Sequence, residues 1–370
     1  MGKIEELIQQ YCPDGVAYYP LGDYVNVSIG EFVRKDKQSP DAAYPVYNGG
    51  TTYTGLYDQY NMEGPKVIMS ARGNAGFVNY VETNFWCGNS CYAMYPSSKD
   101  LNWKFLYYYL KQQEQFFLNS QQKGGIPAVS KKQVETYEIP LPPLPVQEAI
   151  VNILDRFTVY AAELQAELQA RQQQYNYYRD TLLSFEGREG VEWKKLGEVA
   201  DLGTGSHNTQ DGLSEGKYPF YTRGSEILYL NNYDYDETAI ITAGDGAGVG
   251  KVFHFVQGKY ALHQRAYRIV PNEKIVLARF VYYYIGATFY NYIMKSSVSS
   301  SVVSIRKPMM VDYPIPVPSI EEQEKVISIL DRFDTLVNDL TQGLPAEIEA
   351  RQQQYEYYRD QLLTFKRKEA

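Results

Sequence analysis

The sequence predicts an α+β protein in which two mixed α/β domains are separated by two long-helix segments. The helices pair as an antiparallel coiled coil with pseudo-two-fold symmetry. Three observations predict this. A helix-forming segment occurs twice: residues 170–180 read ARQQQYNYYRD and residues 350–360 read ARQQQYEYYRD, alike at ten of eleven positions. A proline-rich strand precedes the start of each helical segment. Short strand-like runs with glycine-rich turns fill the rest of the chain.

The repeat extends beyond its best-matched stretch. Upstream, Ile153-Leu154-Asp155-Arg156-Phe157 returns as Ile329-Leu330-Asp331-Arg332-Phe333, and Gln147-Glu148 as Gln323-Glu324. Downstream, Leu182-Leu183-Ser184-Phe185 returns as Leu362-Leu363-Thr364-Phe365. Fainter echoes link the larger segments: Leu21-Gly22-Asp23 with Leu196-Gly197-Glu198, Tyr44-Pro45-Val46-Tyr47 with Tyr218-Pro219-Phe220-Tyr221, and Phe105-x-Tyr107-Tyr108 with Phe280-x-Tyr282-Tyr283. A period this long marks a duplicated domain pair rather than a solenoid. The predicted organisation is 1–145, 146–186, 187–318 and 319–370. The small segments stay alike and the large ones diverge, so the small ones share a constraint, either mutual packing or a common partner.

Each element has a local reason. Apolar residues at 146, 150, 153, 154 and 157 form a helical stripe after Pro140, Pro142, Pro143 and Pro145. A longer helix follows from about Val159 to Phe185, with Leu164, Leu168, Tyr175, Tyr178, Leu182 and Leu183 on one side. In the second copy, Pro314, Pro316 and Pro318 precede a helix opened by Ser319 and Glu322 as a capping box. Gly343-Leu344-Pro345 should stop that helix and start another. Val67 to Ser70, Tyr92 to Tyr95 and Ala239 to Thr242 read as strands, and Trp103 to Phe117 and Val276 to Met294 as helices. Turns are expected at 47–50, 72–76 and 245–250.

Composition restricts the function classes. The net charge is −8. It is distributed as −2 over 1–145, −3 over 146–189, +1 over 190–318 and −4 over 319–370. The acidity lies mostly in the helical segments, and the large segments are near neutral. A near-neutral domain can bind DNA locally, but phosphate neutralisation favours a basic partner beside it. The chain holds 36 tyrosines. Tyrosine fills sheets and helix seams, and it also stacks on bases and donates to phosphates. No apolar run is long enough to span a membrane and no signal-peptide core opens the chain, so a cytoplasmic location is expected. Cys12, Cys87 and Cys91 are read as small buried hydrophobes of a reducing compartment.

No catalytic constellation emerges. Asp245-Gly246-Ala247-Gly248-Val249-Gly250-Lys251-Val252 lacks the glycine and the Ser/Thr of a phosphate loop and is read as a strand-connecting turn. There is no H-E-x-x-H, G-x-S-x-G or paired Cys-x-x-Cys, and the three histidines are scattered. The chain is expected to be non-catalytic and to hold no metal.

The duplicated pattern ILDRF…ARQQQYxYYRDxLLxF, each copy after a proline-rich strand, resembles the specificity subunit of type I restriction-modification systems. Pro140 to Glu148 resembles that family's junction between a target-recognition domain and its conserved helices, and Cys12-Pro13-Asp14-Gly15-Val16 its usual start. The resemblance implies that each large segment reads one half of a split, asymmetric site on double-stranded DNA. It implies that the helices act as a spacer and dock two modification (methyltransferase) subunits, with restriction/translocase subunits in the full complex. S-adenosylmethionine and ATP/Mg would belong to those partners, with no cofactor in this chain. A helix of ~40 Å would set the two domains about one DNA turn, ~34–36 Å, apart. The duplicated Ala162-Glu163-Leu164-Gln165 and Ala166-Glu167-Leu168-Gln169 stands where similar subunits set the gap between half-sites by tetrapeptide number.

Candidate DNA contacts are the polar and basic turn residues: Tyr47, Asn48, Thr51, Arg72, Asn74 and Lys123 in the first domain, and Ser206, His207, Asn208, Thr222, Arg223 and Arg265 in the second. Candidate partner contacts are Gln147, Arg156, Tyr175 and Tyr178 with Gln323, Arg332, Tyr355 and Tyr358. Seam packing competes for the tyrosines. A coiled-coil scaffold without sequence-specific DNA binding is the alternative function.

Overall fold

A computed structural model describes residues 2–121, 125–296, 304–339 and 341–369. It divides into two compact units, Met1–Leu164 with Ile348–Ala370, and Gln165–Glu347. Each large segment is thus joined to two helical pieces rather than standing apart from them. The first division falls between Leu164 and Gln165, inside the AELQ tetrapeptide.

The first unit carries a four-stranded antiparallel sheet in the order Val25–Ile29, Cys91–Pro96, Lys66–Ser70, Val78–Val81. A three-stranded sheet holds Gly55–Tyr57, Tyr44–Tyr47 and Trp86–Cys87, the last pair parallel. In the second unit one six-stranded sheet does both jobs: Ala200–Thr204, Ala266–Pro271, Tyr235–Ala243, Phe253–Leu262, Tyr218–Tyr221, Ile227–Leu230. The uninterrupted ten-residue strand Phe253–Leu262 joins what are separate strands, Val78–Val81 and Trp86–Cys87, in the first unit. The parallel register Tyr221 opposite Leu262 repeats that of Tyr47 opposite Cys87, so the two echoed tyrosines occupy matching places. The strands expected at 67–70, 92–95 and 239–242 lie within Lys66–Ser70, Cys91–Pro96 and Tyr235–Ala243. The helix expected over 103–117 breaks at Gln113 into Trp103–Gln112 and Glu114–Asn119. That expected over 276–294 is Ala278–Ser296.

The first helical segment is a single helix, Leu144–Leu182, and not a short stripe followed by a second helix. It contains no proline beyond Pro145 and no glycine. Pro145 lies in the first turn, where a missing N–H costs nothing. What changes along the helix is the surface it covers. Val146, Ile150 and Leu154 are buried in the first unit's core with Phe105, Leu106, Leu362 and Leu363. Tyr175 and Leu183 are buried in the second unit's core with Phe280, Val326 and Leu330. Between the two stripes Val159 and Tyr160 are exposed.

The second copy is interrupted as the Gly343-Leu344-Pro345 reading requires, with helices Ile320–Asn338 and Leu344–Leu362. Ser319 accepts from the Glu322 N–H at 3.3 Å. The Glu322 carboxylate does not return the bond of a capping box and pairs with Arg188 at 3.3 Å.

Antiparallel helix seams close both units. In the first, the Phe157 ring lies 5.5 Å from Tyr358 and 6.3 Å from Tyr355, and Arg351 sits 5.4 Å over Tyr160. In the second, Phe333 stacks on Tyr178 at 5.3 Å and meets Tyr175 at 6.4 Å. The repeat has therefore placed the same rings in two equivalent seams. Phe157→Ala should destabilise the first unit, and Phe333→Ala the second, by about 2–3 kcal/mol each, because these half-buried rings fall short of the ~3–5 kcal/mol of a fully buried one. Urea unfolding of both variants checks this; a loss below 1 kcal/mol would mean the seams carry little load.

Candidate nucleic-acid interface

Each unit gathers its turns at one end of its sheets, and backbone hydrogen bonds set the two ends into register. The Gly88 N–H donates to the Tyr47 carbonyl, and the His263 N–H to that of Tyr221. The Ala71 N–H donates to the Ser90 carbonyl, and the Gly244 N–H to that of Arg265. Arg72 bridges to Ala128, and Asp245 to Ser304. By these contacts Asn48 matches Thr222, Gly49 matches Arg223, Arg72 matches Asp245 and Ser90 matches Arg265. The frame is shared, and the side chains mounted on it differ in charge.

In the first unit the 47–51, 70–76 and 88–90 turns meet, through the Asn74 N–H on the Gly49 carbonyl and Ser70 Oγ on that of Gly50. Thr51, Arg72 and Asn74 are exposed there, and Arg72 forms no ion pair among the described residues. Two candidates build the turn instead. Asn48 Oδ1 accepts from the Ser90 N–H at 3.1 Å. Tyr47 packs edge-on against Phe85 at 5.7 Å and Tyr53 at 6.5 Å, and burial raises its phenol pKa. Lys123 lies outside the described residues.

The second unit brings all six of its candidates together. Ser206 and His207 N–H groups both donate to the Leu262 carbonyl, and Gln264 Nε2 donates to Asn208 Oδ1. Ser206, Asn208 and Arg265 are exposed. His207 is tied down by Asp234 at 3.1 Å and by the Phe220 ring at 5.8 Å. Thr222 is buried at 9% exposure and its Oγ1 accepts from the Gly224 N–H, so it shapes the turn and is not a contact residue.

Asp245 was not among the sequence candidates, yet it is the centre of this cluster. Its Oδ1 accepts from Arg223 Nη1 at 2.9 Å and its Oδ2 from Arg265 Nη1 at 3.0 Å. Burial would raise its carboxyl, but the hydrogen bonds and charge of the two arginines hold the pKa below the ordinary aspartate value. Burial and the neighbouring Arg223 lower the His263 pKa, which keeps its Nδ1 free to accept from the Arg265 N–H at 2.9 Å. A concavity of about 560 Å³ opens beside Thr209, Arg223, Asp245 and Gly248. The 245–252 stretch connects strands Tyr235–Ala243 and Phe253–Leu262, as its failed phosphate-loop pattern implied. At Gly248 a Cβ would come within 2.4 Å of the Arg223 carbonyl, so only glycine lets the two turns approach.

The partner candidates divide. Gln147 and Gln323 are fully buried and are not contact residues. Gln147 accepts from the Asn102 N–H and donates to the Asp100 and Pro142 carbonyls. Gln323 accepts from the Leu277 N–H and donates to the Ile275 and Pro318 carbonyls. Both amides clip the start of the spacer helix to the start of the preceding domain's helix. Tyr175, Tyr178, Tyr355 and Tyr358 serve the seams, and burial first among several causes raises Tyr175 and Tyr355 to about 12. Arg156 and Arg332 are exposed and form no ion pair among the described residues. Tyr177 and Tyr357, at 67% and 61% exposure, are equivalent surface residues that the repeat alone did not single out. A second shared device was also unrecognised. Asp155 accepts from Lys104 and Tyr108, while Asp331 accepts from Arg279 and Tyr283. The echo of Phe-x-Tyr-Tyr with ILDRF was its visible trace.

All three cysteines are buried free thiols. Among the described residues no group of three or more His, Cys, Asp or Glu is placed to hold a metal ion, and no helix is long and apolar enough to cross a membrane.

The sequence profile of the type I restriction modification DNA specificity domain matches residues 13–171 and 188–350. The chain is 33% identical over 411 aligned positions to the EcoR124I/EcoR124II type I restriction enzyme specificity subunit of Escherichia coli, covering 100% of this chain and 98% of that one. It is 30% identical to a putative type I restriction enzyme specificity subunit of Haemophilus influenzae, over 95% and 96% of the two chains. Its fold is similar to the crystal structure of the S subunit of a type I restriction-modification system from M. genitalium, with TM-score 0.69, 19% identity and 94% and 96% coverage. With two matching domains, a duplicated helical segment and full-length relatives, the chain belongs to the family of type I restriction-modification specificity subunits.

Proposed function

We propose that this chain is the sequence-specific DNA-recognition subunit of a type I restriction-modification complex, with each unit reading one half of a split, asymmetric site. One observation carries the reading: the two units hold their turns on the same hydrogen-bonded frame but mount different charges on it, with Arg72 where the other has Asp245. A shared frame with unlike side chains reads unlike half-sites. Equivalent seams suit two copies of one partner, which we take to be modification subunits. The exposed pairs Arg156 and Arg332, and Tyr177 and Tyr357, are the side chains available to them. S-adenosylmethionine belongs to those subunits, and ATP and Mg to the restriction/translocase subunits. The chain itself is non-catalytic and works in the cytoplasm. The helical segments carry −7 of the chain's net −8, so partners supply the basic surface that phosphate contact needs.

Mapping methylated bases in cells carrying the cognate modification operon tests the proposal. The expected result is one motif of two unlike specific halves around a non-specific gap, lost when this gene is deleted. A continuous motif, or a motif that survives the deletion, would reject it. A pure scaffold gives that second result.

A further inference from the structure

The Arg223–Asp245–Arg265 cluster has a geometry that ordinary loop packing does not require. Two cations converge on one carboxylate, each through a single Nη1 donor. A guanidinium has five N–H donors, so each arginine keeps its Nη2–Nε edge unspent on Asp245. That edge is the fork that pairs with O6 and N7 of guanine. Both arginines are tied to the two oxygens of one carboxylate, Arg223 to Oδ1 and Arg265 to Oδ2.

The surroundings fix this arrangement from several sides. The Arg265 backbone is held by His263 Nδ1 and by the Gly244 N–H. The Arg223 backbone lies against Gly248 at a distance only glycine permits. Asp245 itself is bridged to Ser304. The side chains of Arg223 and Arg265 remain 40% and 62% exposed, against 23% for Asp245. The carboxylate is therefore recessed behind two reachable cations, where phosphates are not forced against it. Without the carboxylate, two adjacent cations repel and each long side chain samples many rotamers.

We infer that Asp245 is a specificity-positioning residue that presents Arg223 and Arg265 as a paired guanine reader for the half-site contacted by the second unit. This rests on the DNA-recognition reading and deepens it. Gly49, Arg72 and Ser90 occupy the three matching places in the first unit, where Arg72 forms no ion pair among the described residues, so the same trio is not repeated there. The asymmetry of the whole site then has a physical origin in one exchange of charge at a shared position.

The test uses the full chain with its cognate modification subunits. Methylated motifs are mapped in cells carrying the wild type, Asp245→Ala, Arg223→Lys, Arg265→Lys or Arg72→Ala. Asp245→Ala should relax one or two guanine positions in one half-site only. Discrimination there, read by competition between duplexes differing at that base, should fall by about 5- to 150-fold per lost bidentate pair. The two lysine variants keep the charge and the pairing to Asp245 but lose the fork. They should relax the same positions with an unchanged melting temperature, which keeps the test alive if Asp245→Ala does not fold. Arg72→Ala should alter the other half-site. A split wild-type motif that Asp245→Ala and both lysine variants leave unchanged would overturn the paired reader while sparing DNA recognition. Relaxation by Asp245→Ala and Arg72→Ala in the same half-site would do likewise. A wild type with no split motif overturns the DNA-recognition reading itself.

Discussion

Replacing Gln147 by leucine should destabilise the first unit by about 3–5 kcal/mol, and Gln323→Leu should do the same to the second. Leucine matches the side chain in bulk, so no large cavity opens. The loss is polar. The Asn102 N–H and the Asp100 and Pro142 carbonyls would all be left without the amide they bond at 2.6 to 2.8 Å. Each buried group without a partner costs ~1–3 kcal/mol, and relaxation of the loop recovers part of it. Asn102 also caps the helix Trp103–Gln112 by accepting from the Lys104 and Phe105 N–H groups, so its displacement frays that helix. Chemical denaturation followed by far-ultraviolet circular dichroism reads the effect. A loss under 1 kcal/mol in both variants would show that the amides are ornamental. Gln147→Glu separates the two roles: it can still accept from Asn102 but, once ionised, cannot donate to the carbonyls, so it should also be destabilising.

Inserting a third AELQ after Gln169 should replace the whole set of methylated sites with one whose gap is longer by one base pair. Four helical residues add ~6 Å of rise and ~400° of rotation, a net turn of ~40°. One base pair adds ~3.4 Å and, at ~10–10.5 pairs per turn, about 35°. The angle matches one added pair closely, and the extra rise is small beside the length of the helix. The insertion point lies next to the division between the two units at Leu164–Gln165. The chain crosses the division again at Glu347–Ile348, within the helix Leu344–Leu362. Methylation mapping of the insertion variant decides: an unchanged gap would mean that the helix does not act as the ruler.

The repeat was legible because ten of eleven positions are alike and because its apolar residues have helical spacing. The interruption at Gly343 and Pro345 was legible for the same local reason. The continuity of Leu144–Leu182 was not. Its apolar stripe changes partner after Phe157, and a change of phase reads as a change of helix. The buried amides were invisible because glutamine has the hydropathy of a surface residue, and only three-dimensional closure shows three backbone groups waiting for it. Arg223 and Arg265 could be proposed from their turns. Asp245 could not, because its partners lie 22 and 20 residues away in sequence and meet it only through the sheet.

The division of the chain has one more consequence, in time rather than space. The second unit is a continuous stretch, Gln165–Glu347, inserted into the first, whose last helix is Leu344–Leu362. On a ribosome adding ~5–20 residues per second, the apolar stripe of Val146, Ile150 and Leu154 therefore emerges about 10–40 s before Leu362 and Leu363 can cover it. The unit that is begun first is finished last. Translation reverses the usual order of domain completion, and the cell must keep that stripe from sticking elsewhere until the final helix arrives.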